Sequence, residues 1–282
     1  MPKIKYKTIT MKTKYWKPGE DYLIHTLEFV GKHAKDNDFL VISEKAISIA
    51  LGRIVNEAKI SPGLSARLLA SFWMRRIWGY LLGPLARINQ TNLERLRNYP
   101  IKEGANHKQT ILSYAGPIYA LKNFSESGID GSNLPYEFVS LPLEDPKIIA
   151  KEIHSFVKEK IGISIIVIIL DSDKSFSFKD LHLTSRPTTL KKILNIGPFA
   201  YLLGRFLKLR ARSTPIATSD EYLSPEISLR ISAIANKAIK SGAGRTVWDM
   251  SKYFNVGITE VSWEMLESLT HRPVVIVRRL DG

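Results

Sequence analysis

The 282 residues carry 41 Lys and Arg against 27 Asp and Glu, a formal charge of +14 that favours anionic partners: nucleotides, phosphorylated small molecules, RNA or an acidic membrane surface. There is no cysteine, which excludes disulfides, thiolate zinc sites, iron–sulfur clusters and cysteine nucleophiles, and suits a cytoplasmic protein. Residues 1–14 are lysine-rich but lack the apolar stretch of a signal peptide.

Residues 3–10 alternate apolar and polar side chains, as a half-buried strand does. Pro18-Gly19 opens a helix with Glu20 and Asp21 in its first turn and Leu23, Leu27 and Val30 as its buried stripe. Phe39-Leu40-Val41-Ile42 predicts a buried strand, running into Ser43-Glu44-Lys45 and another helix. Residues 64–88 are rich in Leu, Trp, Phe and Ile, but Arg67, Arg75, Arg76 and Arg87 interrupt them. The uncharged run 77–86 is far short of the ~20 apolar residues a membrane-spanning helix needs. The stretch reads as a core or interface helix broken at Gly83-Pro84, with a surface-lying membrane helix as the alternative.

Further along, Gly128-Ile129-Asp130-Gly131-Ser132-Asn133 is a turn-forming sequence. Asp145-Pro146 starts a helix with Ile149, Ile153, Phe156 and Val157 on its inner face, and Gly162 stops it. Residues 163–170 form an apolar run, predicting a central strand buried on both faces that ends in Asp171-Ser172-Asp173. Ser224-Pro225 caps a helix with Ile227, Ile231 and Ile234 inside, stopping at Ser241-Gly242-Ala243-Gly244. Short helices at 246–254 and 259–270 lead to a last strand at 274–278. Without a regular βαβ rhythm, the order predicts an α+β fold of mixed sheets and packed helices. The expected organisation is one domain over 1–282, with a basic apolar helical insertion at about 59–100 and a smaller C-terminal subregion at about 220–282.

Asp130 and Asp171 each follow an apolar stretch and sit at a turn, where local hydrogen bonding alone accounts for Asp. The competing reading is a pair of hard oxygen ligands for magnesium or manganese. Gly242-Ala243-Gly244-Arg245 could wrap backbone N–H groups round a phosphate or simply stop a helix. Residues 59–93 and 181–219 contain no acid, and form either a solvated basic face or a funnel for a polyanion. His107 and Lys108 fit a phosphate site or a surface loop equally. The helix-turn-helix rhythm of 246–269 would give its second helix Glu260, Glu264 and Glu267 and no Lys or Arg, so nucleic acid is not the expected partner there. A basic RNA-binding protein, with Phe72, Trp73 and Trp78 interleaved with Arg75 and Arg76, stays open as the competing class.

Three motifs in order, Gly128-Ile129-Asp130-x-Ser132-Asn133, Glu144-Asp145-Pro146 and Val167-Ile168-Ile169-Leu170-Asp171-Ser172, resemble the coenzyme F420-0:L-glutamate (γ-glutamyl) ligase family, and Ser43-x-Lys45 with Gly52-Arg53 fits its N-terminal motif. The resemblance implies a homodimeric cytoplasmic enzyme forming an amide between L-glutamate and an anionic carboxylate acceptor, the F420 precursor or another, through a GTP-derived acyl phosphate. It implies Mn²⁺ or Mg²⁺, with K⁺ as a further candidate. Carried over by position, Asp130 and Asp171 are catalytic, and with Ser172 they hold metal. Lys14, Tyr15, Trp16, Lys45, Asn133, Gly242, Gly244 and Arg245 fall at nucleotide-binding positions. The chain departs from the family at Ile49, where a lysine is expected, at 173–178, where arginines are expected, and at Ser241, where an acidic ligand is expected.

Overall fold

A computed structural model describes residues 5–124, 126–239 and 242–280. Its strands are β1 (Lys5–Thr10), β2 (Phe39–Ser43), β3 (Ile54–Asn56), β4 (Phe138–Ser140), β5 (Ile166–Phe178), β6 (Leu181–Thr184), β7 (Ile193–Asn195), β8 (Arg210–Thr218) and β9 (Val274–Leu280). Seven of them form a mixed sheet in the order β1-β9-β2-β5-β6-β7, with β8 also paired to β5, and β3 and β4 form a separate two-stranded ladder. The fold is α+β with mixed sheets, as the element order predicted.

Apolar residues run through the middle of this sheet because both of its faces are covered. Leu40, Ile42, Val167, Ile169, Val274 and Ile276 pack on one side with Phe29 and Val30 of helix Tyr22–His33 and Ile153 and Val157 of helix Pro146–Ile161. The alternate residues Val41, Ile168, Leu170, Val275 and Val277 meet Ile231 and Ala235 of helix Pro225–Ile239. Truncating Ile168 or Ile169, both fully buried, to Ala costs about 2–5 kcal/mol. Asp145 precedes helix Pro146–Ile161 and Gly162 caps its end, as predicted.

Three expectations are corrected. Asp21 is the N-cap of helix Tyr22–His33, not a first-turn acid; its carboxylate accepts from Leu23 N at 2.9 Å and Ile24 N at 3.0 Å. The helix beginning at Leu64 does not break at Gly83-Pro84. Its middle, Leu69–Leu82, has π winding, the Gly83 N–H donates five residues back to Trp78 O, and Pro84 stands in the first turn of the closing segment Gly83–Leu85. The central strand does not end at residue 170 but continues through the polar residues to Phe178. Outside the sheet, Ala70, Met74, Trp78, Leu93, Leu96 and Tyr99 form a second core against Tyr201 and Trp248.

Candidate active site

Strand β5 changes neighbours in mid-course. Its first residues pair in parallel with β2, ending at Ser43↔Leu170, whereas β6 takes over only at Ser175↔Thr184. On the other edge the β8 register slips between Asp171 and Lys174. Asp171, Ser172 and Asp173 thus occupy a bulge in a strand anchored on both sides of it, an arrangement that re-aims side chains without loosening them.

Each acidic group here has a cationic partner, and Arg186 serves two of them. Arg186, buried, donates Nε to Asp171 Oδ2 at 2.7 Å and holds both oxygens of buried Glu44, the first residue of helix Glu44–Ala50. Glu44 also accepts the Leu143 N–H at 3.1 Å. Burial pushes the Asp171 carboxyl up, but Arg186, the Asp173 N–H and Lys122 prevail and hold it below the usual range. At Glu44 burial wins over Arg186, with the Asp171 charge adding to it, and the carboxyl is raised. Lys122 Nζ lies 2.8 Å from Asp173 Oδ2, yet burial, reinforced by the Asp171 charge, lifts Asp173 to about 6. Gly128 lies against the Arg186 guanidinium at φ 86°, and a Cβ there would fall 2.5 Å from it.

The Asp130 turn is built similarly. Lys45 Nζ is ion-paired to Asp130 Oδ2 and donates to the Ser132 carbonyl and hydroxyl, both at 2.9 Å. The Ser132 N–H and Oγ–H return to the Asp130 carboxylate at 2.7 and 2.8 Å. Next to it, Asn133 ties the glycine loop: Oδ1 accepts from Ala243 N at 2.8 Å and Tyr15 Oη at 3.2 Å, and Nδ2 donates to Gly244 O at 2.9 Å. Gly242 has φ 56°, and a Cβ on it would come within 2.2 Å of Tyr15 Oη and 2.4 Å of Asn133 Oδ1. Tyr15 stacks on His271 at 4.5 Å; burial raises the phenol to about 12 and lowers the imidazole to about 4.

Most of these groups face one cavity of about 850 Å³, within the size range of a nucleotide-scale site, while Glu44 and Arg186 lie outside its lining. Of the residues predicted from sequence, Tyr15, Lys45, Asp130, Asn133, Asp171 and Ser172 line it, together with Gly242, Gly244 and Arg245. Two do not. Trp16 is fully buried in the main core, with its ring edge-on to His271, and Lys14 is exposed and outside the lining. Lys45, Lys122, Lys174, Lys237, Arg245 and Arg272 line the cavity against Asp130, Asp171 and Asp173, so positive charge is in excess there. Ile49 lines it too, an apolar wall where a lysine was expected. Ser241 lies outside the described residues.

Sequence reasoning missed Glu44, Lys122 and Arg186. No arginine follows Asp171 within 173–178, and the guanidinium beside it arrives instead from Arg186. Arg186 was visible only as one cation of an acid-free stretch, and nothing local marks it as the partner of a residue 142 positions earlier.

Nor do His107 and Lys108 form a loop or a phosphate site. They lie in helix Ile101–Tyr114, where Lys108 is fully buried and donates to Glu126 at 2.7 Å and to the Ala120 and Lys122 carbonyls. His107 sits between Glu57 (2.9 Å) and Glu126 (3.3 Å); burial alone would lower it, but the two carboxylates drive it up to about 10. His107, Glu57 and Glu126, together with Tyr99, Phe124 and Trp248, border a second pocket of about 140 Å³ that shares Phe124, Asp130 and Arg245 with the large cavity. The interleaved aromatics proposed for RNA stacking are not a platform. Trp78 is buried, and the indole N–H groups of Trp73 and Trp78 both donate to Leu121 O at 2.8 and 2.7 Å. Among the described residues no helix is long and apolar enough to cross a membrane.

Comparison with known proteins agrees with the motifs. The chain is 33% identical over 281 residues to a protein of Methanocaldococcus jannaschii described as the uncharacterized protein MJ1361, covering 95% of this chain and 94% of that one. The F420-0:gamma-glutamyl ligase family matches residues 10–182, a span that holds Lys45, Asp130, Asn133 and Asp171 and stops short of Arg186 and the glycine loop. The chain belongs to the F420-0:gamma-glutamyl ligase family.

Proposed function

We propose that the protein is a cytoplasmic GTP- and divalent-metal-dependent ligase that joins L-glutamate to a carboxylate acceptor through an acyl phosphate. The observation that carries this reading is the convergence of Asp130, Asp171, Lys45, Asn133 and the Gly242–Arg245 loop on one cavity with excess positive charge. Among the described residues no three His, Cys, Asp or Glu side chains make a ready-built metal cage, and Lys45 and Arg186 already engage the two aspartates. That donor set suits Mg²⁺ or Mn²⁺, held by one or two carboxylates with water and substrate phosphates completing the shell. Asp130, Asp171 and Ser172 would hold such an ion, which supplies charge neutralisation at the transferring phosphoryl group.

The chain's own residues do the positioning, the main demand of phosphoryl transfer. Asn133 fixes the glycine loop, Arg245 and Lys45 stand where a phosphate chain would lie, and the bulge in β5 presents Asp171 rigidly. An acceptor carboxylate oxygen attacks the γ-phosphorus as the bond to GDP breaks; the glutamate amine then attacks the acyl carbon, phosphate leaves, and the amine loses a proton to solvent. F420-0 is the first acceptor to test, although Ile49 on the wall favours a different one. The second expectation, a homodimer, is supported by the outer face of the helix that begins at Leu64, where Leu64, Leu68, Phe72, Leu81 and Leu85 are exposed. Phe72→Glu should convert dimer to monomer in sedimentation.

In a thermal-shift titration, GTP with Mn²⁺ should stabilise the protein, by about 2.7 kcal/mol at a hundredfold excess over Kd. Asp171→Asn and Lys45→Ala should each abolish the shift, and mass spectrometry should find a glutamyl adduct only with the native protein. Full Mn²⁺–GTP stabilisation in both Asp130→Asn and Asp171→Asn would remove the reading.

A further inference from the structure

The smaller pocket differs chemically from everything the nucleotide reading needs. Its walls are rings: Trp248 stands edge-on to Phe124 at 5.9 Å and tilted to Tyr99 at 6.3 Å, with Tyr136 and Phe138 at another side. A cavity of about 140 Å³ is the size that accepts one aromatic ring. In a chain of net charge +14, this pocket nonetheless gathers Glu57, Glu103, Glu126, Glu137 and Asp130 against only His107 and Arg245. Glu57 and Glu126 are satisfied by His107 and Lys108, and Asp130 by Lys45. Glu103 and Glu137 have no ion pair among the described residues.

We propose that this pocket binds the acceptor, and that the acceptor is an aromatic compound carrying a protonated amine as well as the carboxylate to be activated. The ring lies among Tyr99, Phe124 and Trp248, where stacking and edge contacts reward a planar group. The ammonium is recognised by Glu103 and Glu137, and cation–π attraction to the same rings adds to it. The carboxylate end passes Asp130 and Arg245, which belong to both cavities, and reaches the phosphate side. An amine held by carboxylates is charged and therefore not nucleophilic, so it is a recognition handle and not the attacking group. L-Glutamate, with two carboxylates, is repelled by this lining and must approach from the basic cavity.

The inference rests on the ligase reading for the acceptor's role, but the pocket can be tested without nucleotide. Titrated with 2-phenylethylamine alone, the protein should show saturable quenching of tryptophan fluorescence that disappears in Trp248→Phe. 3-Phenylpropionate, of the same shape and opposite charge, should bind at least tenfold more weakly. The double variant Glu103→Gln/Glu137→Gln should weaken the amine at least tenfold while leaving the Mn²⁺–GTP thermal shift unchanged. Equal binding of the carboxylate, an undiminished amine affinity in the double variant, or no saturable amine binding would each overturn the site. With GTP, Mn²⁺ and L-glutamate present, 4-(aminomethyl)phenylacetate should stimulate phosphate release more than its N-acetyl form. Equal or absent stimulation, with amine binding and the GTP shift intact, would overturn the acceptor assignment alone. Loss of the GTP shift would sink the ligase reading and leave the amine titration standing.

Discussion

The two cavities share Phe124, Asp130 and Arg245 and are built on opposite plans. The larger one has its acids paired with cations from distant segments, Asp130 with Lys45, Asp173 with Lys122 and Asp171 with Arg186, which lies outside the lining, and adds further cations around them. The smaller one is faced with rings, and what it leaves unmatched is acid. The difference shows that the chain's net positive charge is not spread evenly: acid is concentrated one wall away from the place where an anion would bind. Two substrates of opposite character can then be sorted by potential before any close contact forms.

The largest expected effect breaks the larger cavity at its buried guanidinium. Removing one member of a buried ion-paired cluster strands the others, so Arg186→Met should cost about 3–5 kcal/mol in urea denaturation. Adding Glu44→Gln and Asp171→Asn to it should recover much of that loss. A single-variant cost below ~1 kcal/mol would show the pairing to be incidental. Next in size, Gly242→Ala should lower GTP affinity at least tenfold, about 1.4 kcal/mol, because the new Cβ displaces Tyr15 and Asn133. The same variant should leave 2-phenylethylamine binding untouched; a parallel loss there would mean the two cavities are one unit.

A smaller and slower effect concerns pH. His107 has its folded-state pKa raised to about 10, so its contribution to stability is complete below the ordinary value near 6.5 and is lost as pH rises through 10. Glu57 and Glu126 face its two nitrogens, while Lys108 and Tyr99 lie against the same group. Between pH 6.5 and 10 the urea midpoint of the native protein should fall more steeply than that of His107→Gln, and identical slopes would contradict the assignment. The smallest effect is a surface control. Glu144→Gln removes an exposed partner of Arg53 and should change stability by less than about 1 kcal/mol.

Legibility followed the range of the forces involved. Helix Pro146–Ile161 was readable because Asp145, Pro146 and Gly162 act on neighbouring backbone. The start of β5 was readable from its apolar run, but its continuation was not, since Asp171 to Lys174 carry no pattern once a bulge interrupts the alternation. Helix Ile101–Tyr114 was missed around His107 and Lys108 because its buried face is polar and satisfied by residues elsewhere in the chain. Asp130 and Asp171 stood out as candidate hard-oxygen ligands in competition with ordinary turn chemistry, whereas Lys45 and Asn133 were assigned through the family resemblance alone. Trp16 was drawn into the site by its neighbour Tyr15, though successive residues there point to opposite sides.

The position of β9 bears on how the protein is made. It lies between β1 and β2, paired to both, although it comes more than 230 positions after β2 in the sequence. Among the described residues β1 pairs in the sheet with β9 alone, so during translation it waits for more than 260 residues of synthesis until residue 274 and those after it have left the ribosome. At about 5–20 residues per second that is a delay of roughly 13–50 seconds, during which the apolar edge of β2 is open to chaperones and to other nascent chains. Emergence of β9, not of the first helices, is the event that joins β1 to this sheet.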